Sequence, residues 1–278
     1  MRQVVLDQYF TKGEDAKKFV EVLNRLYPLK DYDFVLEPSA GGGSFYFQLP
    51  PNRIGIDLEP LSSEIQRADF FQWQPPEGRG IVVGNPPFGR RGSLARRFFE
   101  KAASFSDVVA FILPAIFSKP SFHSGLNPHF HLEYEEFVDE FFLPDGSTKK
   151  INCVFQIWKK KDFKREKLLE PKEHKDFLLI HRHISRTSPE ELLSLENDYD
   201  FAYGQISGKI NNIRDVKKGS QFFVKDVSAH KKVKSIFEKM DWEVLKKYSM
   251  GPLSLGRGDI IKQYQYILES LCLPHITS

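Results

Sequence analysis

The chain of 278 residues has little cysteine, with Cys153 and Cys272 as the only two. They stand in different contexts and lack the spacing of metal ligands, so we expect neither a disulfide framework nor a zinc site. No stretch approaches the roughly 18 consecutive apolar residues of a membrane span, and the first residues lack the apolar run of a secretory signal. We therefore expect a cytoplasmic protein that uses no metal and enters no membrane.

A large excess of one charge is also missing, because 40 Lys and Arg residues stand against 37 Asp and Glu residues, for a net charge of +3. This mild excess permits a polyanionic partner without requiring one. Hydrophobic residues make up 41% of the chain, enough for a sizeable core. The composition therefore excludes disordered and collagen-like chains.

What is present in the first half is an alternation of short apolar runs and amphipathic stretches, which predicts an α/β fold with a largely parallel sheet. Apolar spacing predicts helices over 13–27 and 93–103, the first starting with a capping box of Thr11 and Glu14. Two later runs, joined by a turn around Pro144-Asp145-Gly146, indicate an antiparallel pair at the sheet edge. The predicted strands are 33–36, 53–56, 80–83, 108–113, 137–142 and 153–158.

A stretch rich in lysine and glutamate, residues 159–175, indicates the exit from this first domain, with a boundary near Arg165. The sequence thus predicts a first domain of residues 1–165 and a smaller C-terminal region of residues 166–278, suited to substrate recognition. The elements expected in that region are strands at 177–180, 201–206 and 220–224, a helix over 229–240, and a glycine-rich tail with Gly251, Gly256 and Gly258.

The strand over 80–83 runs almost directly into Asn85-Pro86-Pro87-Phe88. Two consecutive prolines stiffen the backbone and remove two N–H donors, so nearby carbonyls stay available as acceptors. An amino group could donate to the Asn85 side chain and the Pro86 carbonyl, while Phe88 offers a face for a planar ring. An exocyclic amine on a nucleobase fits this description. The alternative is a simple turn that ends the strand, with Phe88 in the core.

A glycine loop follows the first strand, in the run from Glu37 to Phe45. Its glycines let a ligand approach the backbone, but their spacing fits neither a dinucleotide fingerprint nor a P-loop. Asp57 ends the next strand, where α/β nucleotide sites place an acid against ribose hydroxyls. Asp69 and Phe70 follow at a position suited to the amine and ring of adenine. Taken singly, each feature is also explained by an ordinary connector or a solvated strand end.

The joint order of these motifs resembles that of the S-adenosylmethionine-dependent adenine-N6 methyltransferases. The resemblance spans roughly residues 7–158 and includes Gln8-Tyr9-Phe10-Thr11. It implies a Rossmann-like class I methyltransferase sheet, mostly parallel with an antiparallel edge strand, beside a smaller C-terminal α+β region. The implied cofactor is S-adenosylmethionine, and the implied reaction is direct in-line methyl transfer to the adenine amino nitrogen.

The resemblance also implies roles for individual residues. Glu37 and the glycines from Gly41 to Gly43 would hold the methionine part of the cofactor, Asp57 the ribose, and Asp69 with Phe70 the adenine. The implied cofactor-binding residues are Tyr9, Phe10, Thr11, Glu37, Pro38, Ser39, Ala40, Gly41, Gly43, Asp57, Leu58, Asp69, Phe70 and Asn85. The implied catalytic residues, which grip the target base, are Asn85, Pro86, Pro87 and Phe88.

Two positions depart from the commonest form of these motifs. Glu37 stands where many members of the family have aspartate, and Phe88 stands where many DNA enzymes have tyrosine. Both departures occur within the wider family. They leave the expected activity in place and bear on the class of substrate.

A cluster of arginines crowds the loop and helix after the Asn-Pro-Pro-Phe motif. We expect its members to contact nucleic-acid phosphates, with a solvated helix face as the alternative. They are Arg90, Arg91, Arg96 and Arg97.

DNA is expected ahead of RNA, because the Glu-Pro-Ser-Ala-Gly loop is most similar to that of bacterial DNA enzymes. The C-terminal region is small, so sequence specificity would be loose or supplied by a protein partner. Two other functions fit the sequence: a protein methyltransferase that acts on a glutamine side-chain amide, and a non-catalytic subunit that keeps the fold.

Overall fold

The computed structural model of the chain contains two compact units, Met1–Leu168 and Leu169–Ser278. It describes residues 10–142, 147–167, 169–216, 218–246 and 254–272. Three predicted features lie outside the described residues: Tyr9, the turn at Pro144-Asp145-Gly146, and Gly251.

Seven strands form one sheet in the first unit. They are β1 (Phe34–Glu37), β2 (Arg53–Asp57), β3 (Gln66–Arg67), β4 (Gly80–Gly84), β5 (Val108–Pro114), β6 (Phe130–Phe142) and β7 (Thr148–Lys160). Their order is β3-β2-β1-β4-β5-β7-β6, with the first five strands of the chain parallel and β7 antiparallel to β5 and β6. This is a Rossmann-like α/β sheet, mostly parallel with antiparallel pairing at one edge, so the predicted fold class is confirmed.

Helices cover this sheet: α1 (Gly13–Leu26), α2 (Ser93–Ala103) and the single turn α3 (Pro120–His123). The strands β1, β4 and β5 are buried along their whole length, as expected for apolar runs covered on both faces. Phe19 of α1 stacks on Phe155 of β7, with ring centroids 4.2 Å apart. The apolar stripes of α1 and α2 therefore meet the sheet, as their spacing predicts.

The expected capping box at the start of α1 is wrong. The helix begins after Lys12, whose side chain makes no capping hydrogen bond. Thr11 lies one residue too early to cap the helix, and its carbonyl accepts a hydrogen bond from the Ser44 hydroxyl at 3.0 Å. Contact with the glycine loop, rather than helix capping, therefore fixes this residue.

The second unit contains an antiparallel sheet in the order β10-β9-β11-β8. One face packs on α4, through Leu195, and the other on α5 and α7, through Phe237 and Tyr264. The elements are β8 (Phe177–His183), α4 (Pro189–Asp198), β9 (Phe201–Gly204), β10 (Ile210–Asn211), β11 (Ser220–Asp226), α5 (Val233–Phe237), α6 (Glu243–Lys246) and α7 (Arg257–Cys272). The unit is thus an α+β structure.

Two predictions for the second unit are wrong in detail. The helix expected over 229–240 is confined to Val233–Phe237, because Asp226 and Ser228 bind the preceding backbone and hold it in turns. The expected glycine-rich tail contains α7 instead. Ile260, Ile261 and Tyr264 recur at helical spacing there, and their burial outweighs the low helix propensity of one internal glycine.

No helix among the described residues is both long and apolar enough to cross a bilayer. Within the same ranges, no group of three or more His, Cys, Asp or Glu side chains is arranged to hold a metal ion. Cys153 is a buried residue of β7.

Arg165 fastens the last residues of the first unit to the loop that precedes β6. Its guanidinium is half-buried and donates hydrogen bonds to the backbone carbonyls of His123, Leu126, Asn127 and Phe130. Burial lowers the pKa of the guanidinium from its usual value. One planar side chain with several N–H groups thus donates to four carbonyls at once, of which those of His123 and Asn127 also accept backbone N–H groups.

We predict that Arg165→Ala lowers the free energy of unfolding by about 1–3 kcal/mol, because buried carbonyls lose their donors. Arg165→Lys should recover only part of the lost free energy of unfolding, since an ammonium group cannot reach all four acceptors. Urea unfolding followed by tryptophan fluorescence measures the change, with the exposed Lys167→Ala as matched control. An Arg165→Ala loss no larger than that of the control would contradict the assignment.

Candidate functional site

The carboxyl ends of β1, β2 and β4 surround a cavity of about 440 Å³. In a parallel sheet such a crevice forms where strand order reverses, and here β2 and β4 lie on opposite sides of β1. The volume is that of a small-molecule site. The predicted cofactor residues that line it are Phe10, Thr11, Glu37, Pro38, Ser39, Ala40, Gly41, Asp57, Leu58, Asp69, Phe70 and Asn85.

Of the glycines expected to hold the methionine part of the cofactor, Gly41 lines the cavity, whereas Gly42 and Gly43 do not. Gly43 shows why the loop needs a glycine there. It adopts a positive φ of +84°, and a Cβ there would lie 2.5 Å from the ring of Phe47. This glycine therefore serves the packing of the loop.

Asp57 holds the glycine loop in place. One carboxylate oxygen accepts the N–H of Gly41 at 2.8 Å, and the other accepts the N–H of Glu59, also at 2.8 Å. Gly41 has a φ of +51°, a conformation that favours glycine. Because a carboxylate offers about four lone pairs, Asp57 keeps acceptor capacity toward the cavity.

The Asn-Pro-Pro-Phe segment follows β4 and closes one wall of the same cavity, which Asn85, Pro86, Pro87 and Phe88 all line. The Ser39 hydroxyl donates to the Asn85 carbonyl at 3.3 Å, so the loops after β1 and β4 are joined directly. The Phe88 carbonyl accepts the N–H groups of Leu94 and Ala95 at 3.0 and 3.2 Å. The segment is thereby tied to the start of α2.

Phe88 lines the cavity, yet it is only 1% exposed and belongs to the hydrophobic core. Base stacking and core packing are the two interpretations that the sequence leaves open for this ring. Here the ring packs in the core. A base that stacks on Phe88 would require this part of the wall to open.

Glu37 ends β1 with its carboxyl group buried at the cavity, at 2% exposure. Its Oε2 accepts the N–H of Tyr46 at 2.7 Å. Burial raises the pKa of Glu37 well above its usual value, and nearby Asp57 raises it further, although N–H groups of Tyr46 and Phe45 oppose the shift. Glu37 is therefore the most strongly perturbed acid of the site.

The lining is acidic. Four carboxyl groups belong to it, and among the described residues it includes no lysine, arginine or histidine. The hydroxyl of Thr11 is buried in the same wall, and its Oγ1 has no hydrogen-bond partner within the described part of the chain. The acids are Glu37, Asp57, Glu59 and Asp69. Such a cavity favours a ligand that carries positive charge and hydrogen-bond donors.

The four arginines after the Asn-Pro-Pro-Phe segment are all exposed, and none of them lines the cavity. Arg96 donates to the Gly125 carbonyl, and the guanidinium of Arg97 lies 4.4 Å from the ring centroid of Phe71. Among the described residues, the side chains of Arg90 and Arg91 have no hydrogen-bond or ion-pair partner. The backbone of Arg91 has a positive φ of 54°. The cluster therefore divides into two arginines engaged by the fold and two that are free.

Several residues that line the cavity were not predicted from the sequence. Leu94 and Phe98 form an apolar stripe of α2, which predicted only core packing. An apolar stripe does not indicate a cavity, because the same helical spacing occurs whether the side chains pack in the core or line a cavity. The other unpredicted lining residues are Ser44, Phe45, Glu59, Leu61, Ala68 and Phe71.

No family model matches the chain, and no curated protein matches it in sequence. Among solved structures, it is similar to a proposed RNA methyltransferase of Pyrococcus horikoshii, at 20% identity and a TM-score of 0.46, over 58% of this chain and 90% of that one. It is similar to a Thermoplasma acidophilum protein at 17% identity and a TM-score of 0.43, over 54% of this chain and 90% of that one. For the 23S rRNA methyltransferase ErmE, identity is 14% and the TM-score 0.40, over 94% of this chain and 99% of that one.

We predict that Asp57→Ala speeds hydrogen exchange at the Gly41 amide by roughly ten- to a hundredfold, because a hydrogen bond worth about 1.5–3 kcal/mol to a charged acceptor is lost. Asp57→Asn should keep much of the protection, since its amide retains one acceptor oxygen. Exchange measured by NMR at Gly41, with a core amide such as that of Val82 as internal reference, decides the matter. Unchanged exchange at Gly41 would refute the role of Asp57 in the loop.

Proposed function

We propose that this protein is an S-adenosylmethionine-dependent methyltransferase that methylates adenine N6 in nucleic acid, with DNA favoured over RNA. The observation that carries the proposal is the wall of one cavity: the Asn85-to-Phe88 segment lines it together with the strand-end acids Glu37 and Asp57. An acceptor platform for an amino group thus adjoins a site for a cationic nucleoside. Neither the acceptor platform nor the acidic part of the cavity would by itself define the reaction.

The lining residues fit this cofactor. The partnerless Thr11 hydroxyl and the four carboxyl groups match a molecule with a sulfonium, an ammonium group and ribose hydroxyls. Asp57 would accept from the ribose while it holds Gly41, and Asp69 with Phe70 would offer an acceptor and a ring to adenine. When bound, S-adenosylmethionine supplies an electrophilic methyl group.

The Asn85 segment deals with the poor nucleophilicity of the adenine amino nitrogen, whose lone pair is delocalised into the ring. The Asn85 side-chain oxygen and the Pro86 carbonyl would each accept a hydrogen bond from one amino N–H group. These two hydrogen bonds would favour a tetrahedral nitrogen. The Ser39 hydrogen bond fixes the Asn85 backbone for this task. No cysteine nucleophile is required.

The substrate side of the proposal depends on the exposed arginines outside the cavity. Arg90 and Arg91 follow Phe88 after a single glycine and are free to bind phosphates, whereas Arg96 and Arg97 are engaged by the fold. An adenine in a duplex is inaccessible, so the base must flip out or belong to a single strand. Free cations beside the pocket would hold the backbone on either side of such a base.

The test of the proposal is incubation of the full chain with labelled S-adenosylmethionine and separate pools of DNA, RNA and protein. We expect label in nucleic acid, with DNA above RNA. Label in protein at glutamine would favour the amide methyltransferase. Failure to label any pool, together with calorimetric evidence of cofactor binding, would favour the non-catalytic subunit.

We predict that Asn85→Ala lowers turnover by on the order of a hundred- to a thousandfold, because one transition-state acceptor is lost. The affinity for S-adenosylmethionine should change by no more than about threefold, since the hydrogen bond to the amino group forms on the substrate side. Single-turnover kinetics and calorimetry separate the two quantities, with the exposed Asn197→Ala as matched control. Wild-type turnover in Asn85→Ala would contradict the mechanism.

We predict that Arg90→Gln combined with Arg91→Gln reduces the slope of log affinity against log salt for nucleic acid by about 1–2. Sequence preference should stay the same, because phosphate contacts carry no base information. The matched control is Lys30→Gln with Lys160→Gln, two exposed lysines at the amino-terminal edge of the parallel strands, far from the cavity edge. Equal slopes for the wild type and the arginine variant would show that Arg90 and Arg91 are solvated surface residues that do not bind phosphates.

A further inference from the structure

Glu37 is a buried acid with no counter-ion. No lysine, arginine or histidine among the described residues forms an ion pair with it, and its polar contacts are the backbone N–H groups of Tyr46 and Phe45. Its carboxyl group nevertheless lines the cavity. Burying an isolated carboxylate is costly, so such a group keeps its proton until a cation arrives.

None of the described groups that face Glu37 from neighbouring elements supplies a positive charge to its carboxyl group. From β2 comes Asp57, an acid, and from β4 comes Gly84, which carries no charge. The loop contributes Tyr46, whose ring lies 4.7 Å from the Arg53 guanidinium, and Arg53 itself pairs with Glu64. The remaining charged groups of the cavity, Glu59 and Asp69, are also acids.

We propose that Glu37 is protonated in the free protein and releases its proton to solvent when the cationic part of the cofactor enters the cavity. This inference rests on the proposed function and deepens it, because it names the group that recognises the positive charge of the cofactor. The ionised carboxylate then becomes the counter-ion of the ligand. Glu37 is in this sense a specificity residue for a cationic nucleoside over a neutral one.

The sign of the pH dependence follows from linkage. The raised pKa of Glu37 in the free protein means that, at a pH below it, binding must first remove a proton. Affinity for the cofactor should therefore rise with pH, by up to about tenfold per pH unit, and level off above that pKa. The free protein, by contrast, is stabilised by the neutral carboxyl below the unfolded pKa, and this stabilisation is lost as pH rises through the folded pKa.

The experiment is calorimetry of the full chain in two buffers of different ionisation enthalpy, at several pH values from about pH 5, just above the ordinary glutamate pKa, to about pH 8. The probes are S-adenosylmethionine, S-adenosylhomocysteine, which keeps the ammonium group alone, and 5′-methylthioadenosine, which has neither cation. We expect the wild type to release about one proton with the first probe and none with the last. Release with S-adenosylhomocysteine would assign the effect to the ammonium group, and its absence would assign it to the sulfonium.

The decisive comparison uses Glu37→Gln, which keeps an acceptor for the Tyr46 N–H but has no carboxyl proton to lose. The difference between the two proteins with the same ligand cancels any proton that the ligand itself exchanges. Glu37→Gln should bind S-adenosylmethionine without proton release, whereas Glu21→Gln, at an exposed acid of α1 outside the cavity lining, should release protons as the wild type does. Equal release in the wild type and Glu37→Gln, or release with 5′-methylthioadenosine, would overturn the inference.

Infrared difference spectroscopy of the wild type keeps the inference testable if Glu37→Gln does not fold. Binding of S-adenosylmethionine should remove a protonated-carboxyl band, and binding of 5′-methylthioadenosine should leave it. A band that persists with both ligands would overturn the inference while the proposed function stands. No binding of S-adenosylmethionine to the wild type at any pH would instead contradict the proposed function itself.

Discussion

The constraint on which the site depends is the reversal of strand order at β1. With β2 on one side and β4 on the other, the chain leaves the carboxyl ends of these strands in diverging directions and opens a crevice. Three key residues of the site stand at strand ends: Glu37 ends β1, Asp57 ends β2, and Asn85 follows β4. Two hydrogen bonds then fix the crevice, from Gly41 to Asp57 and from Ser39 to the Asn85 carbonyl.

Charge is separated across this edge of the sheet. The cavity is lined by four carboxyl groups, whereas four exposed arginines follow the Asn85 segment outside it. An acidic cavity repels phosphate and attracts a cation, and an exposed basic loop does the reverse. One edge thus offers separate places for a small cationic ligand and a polyanion. Since Arg96 and Arg97 contact Gly125 and Phe71, only Arg90 and Arg91 are fully available to the polyanion.

Sequence patterns predict what depends on neighbours along the chain. Short apolar runs that end in Asp57 or before Asn85 predict strands, and the parallel arrangement brings their ends together. Properties that depend on packing across the fold are not predictable in this way. The burial of Phe88, the contact of Arg97 with Phe71 and the lining role of Phe98 arise only when α2 packs beside the loop. The glycines in and before α7 hid this helix for the same reason, since burial of Ile260 and Tyr264 stabilises it.

The central claim is methyl transfer to the amino nitrogen of adenine, and identification of the product nucleoside tests it most directly. The protein is incubated with S-adenosylmethionine that carries a deuterated methyl group and with adenine-containing oligonucleotides, both single- and double-stranded. The products are then digested and analysed by mass spectrometry. We expect deuterated N6-methyladenine with the wild type and none with Asn85→Ala. A deuterated methyl group on any other base or ring position would contradict it.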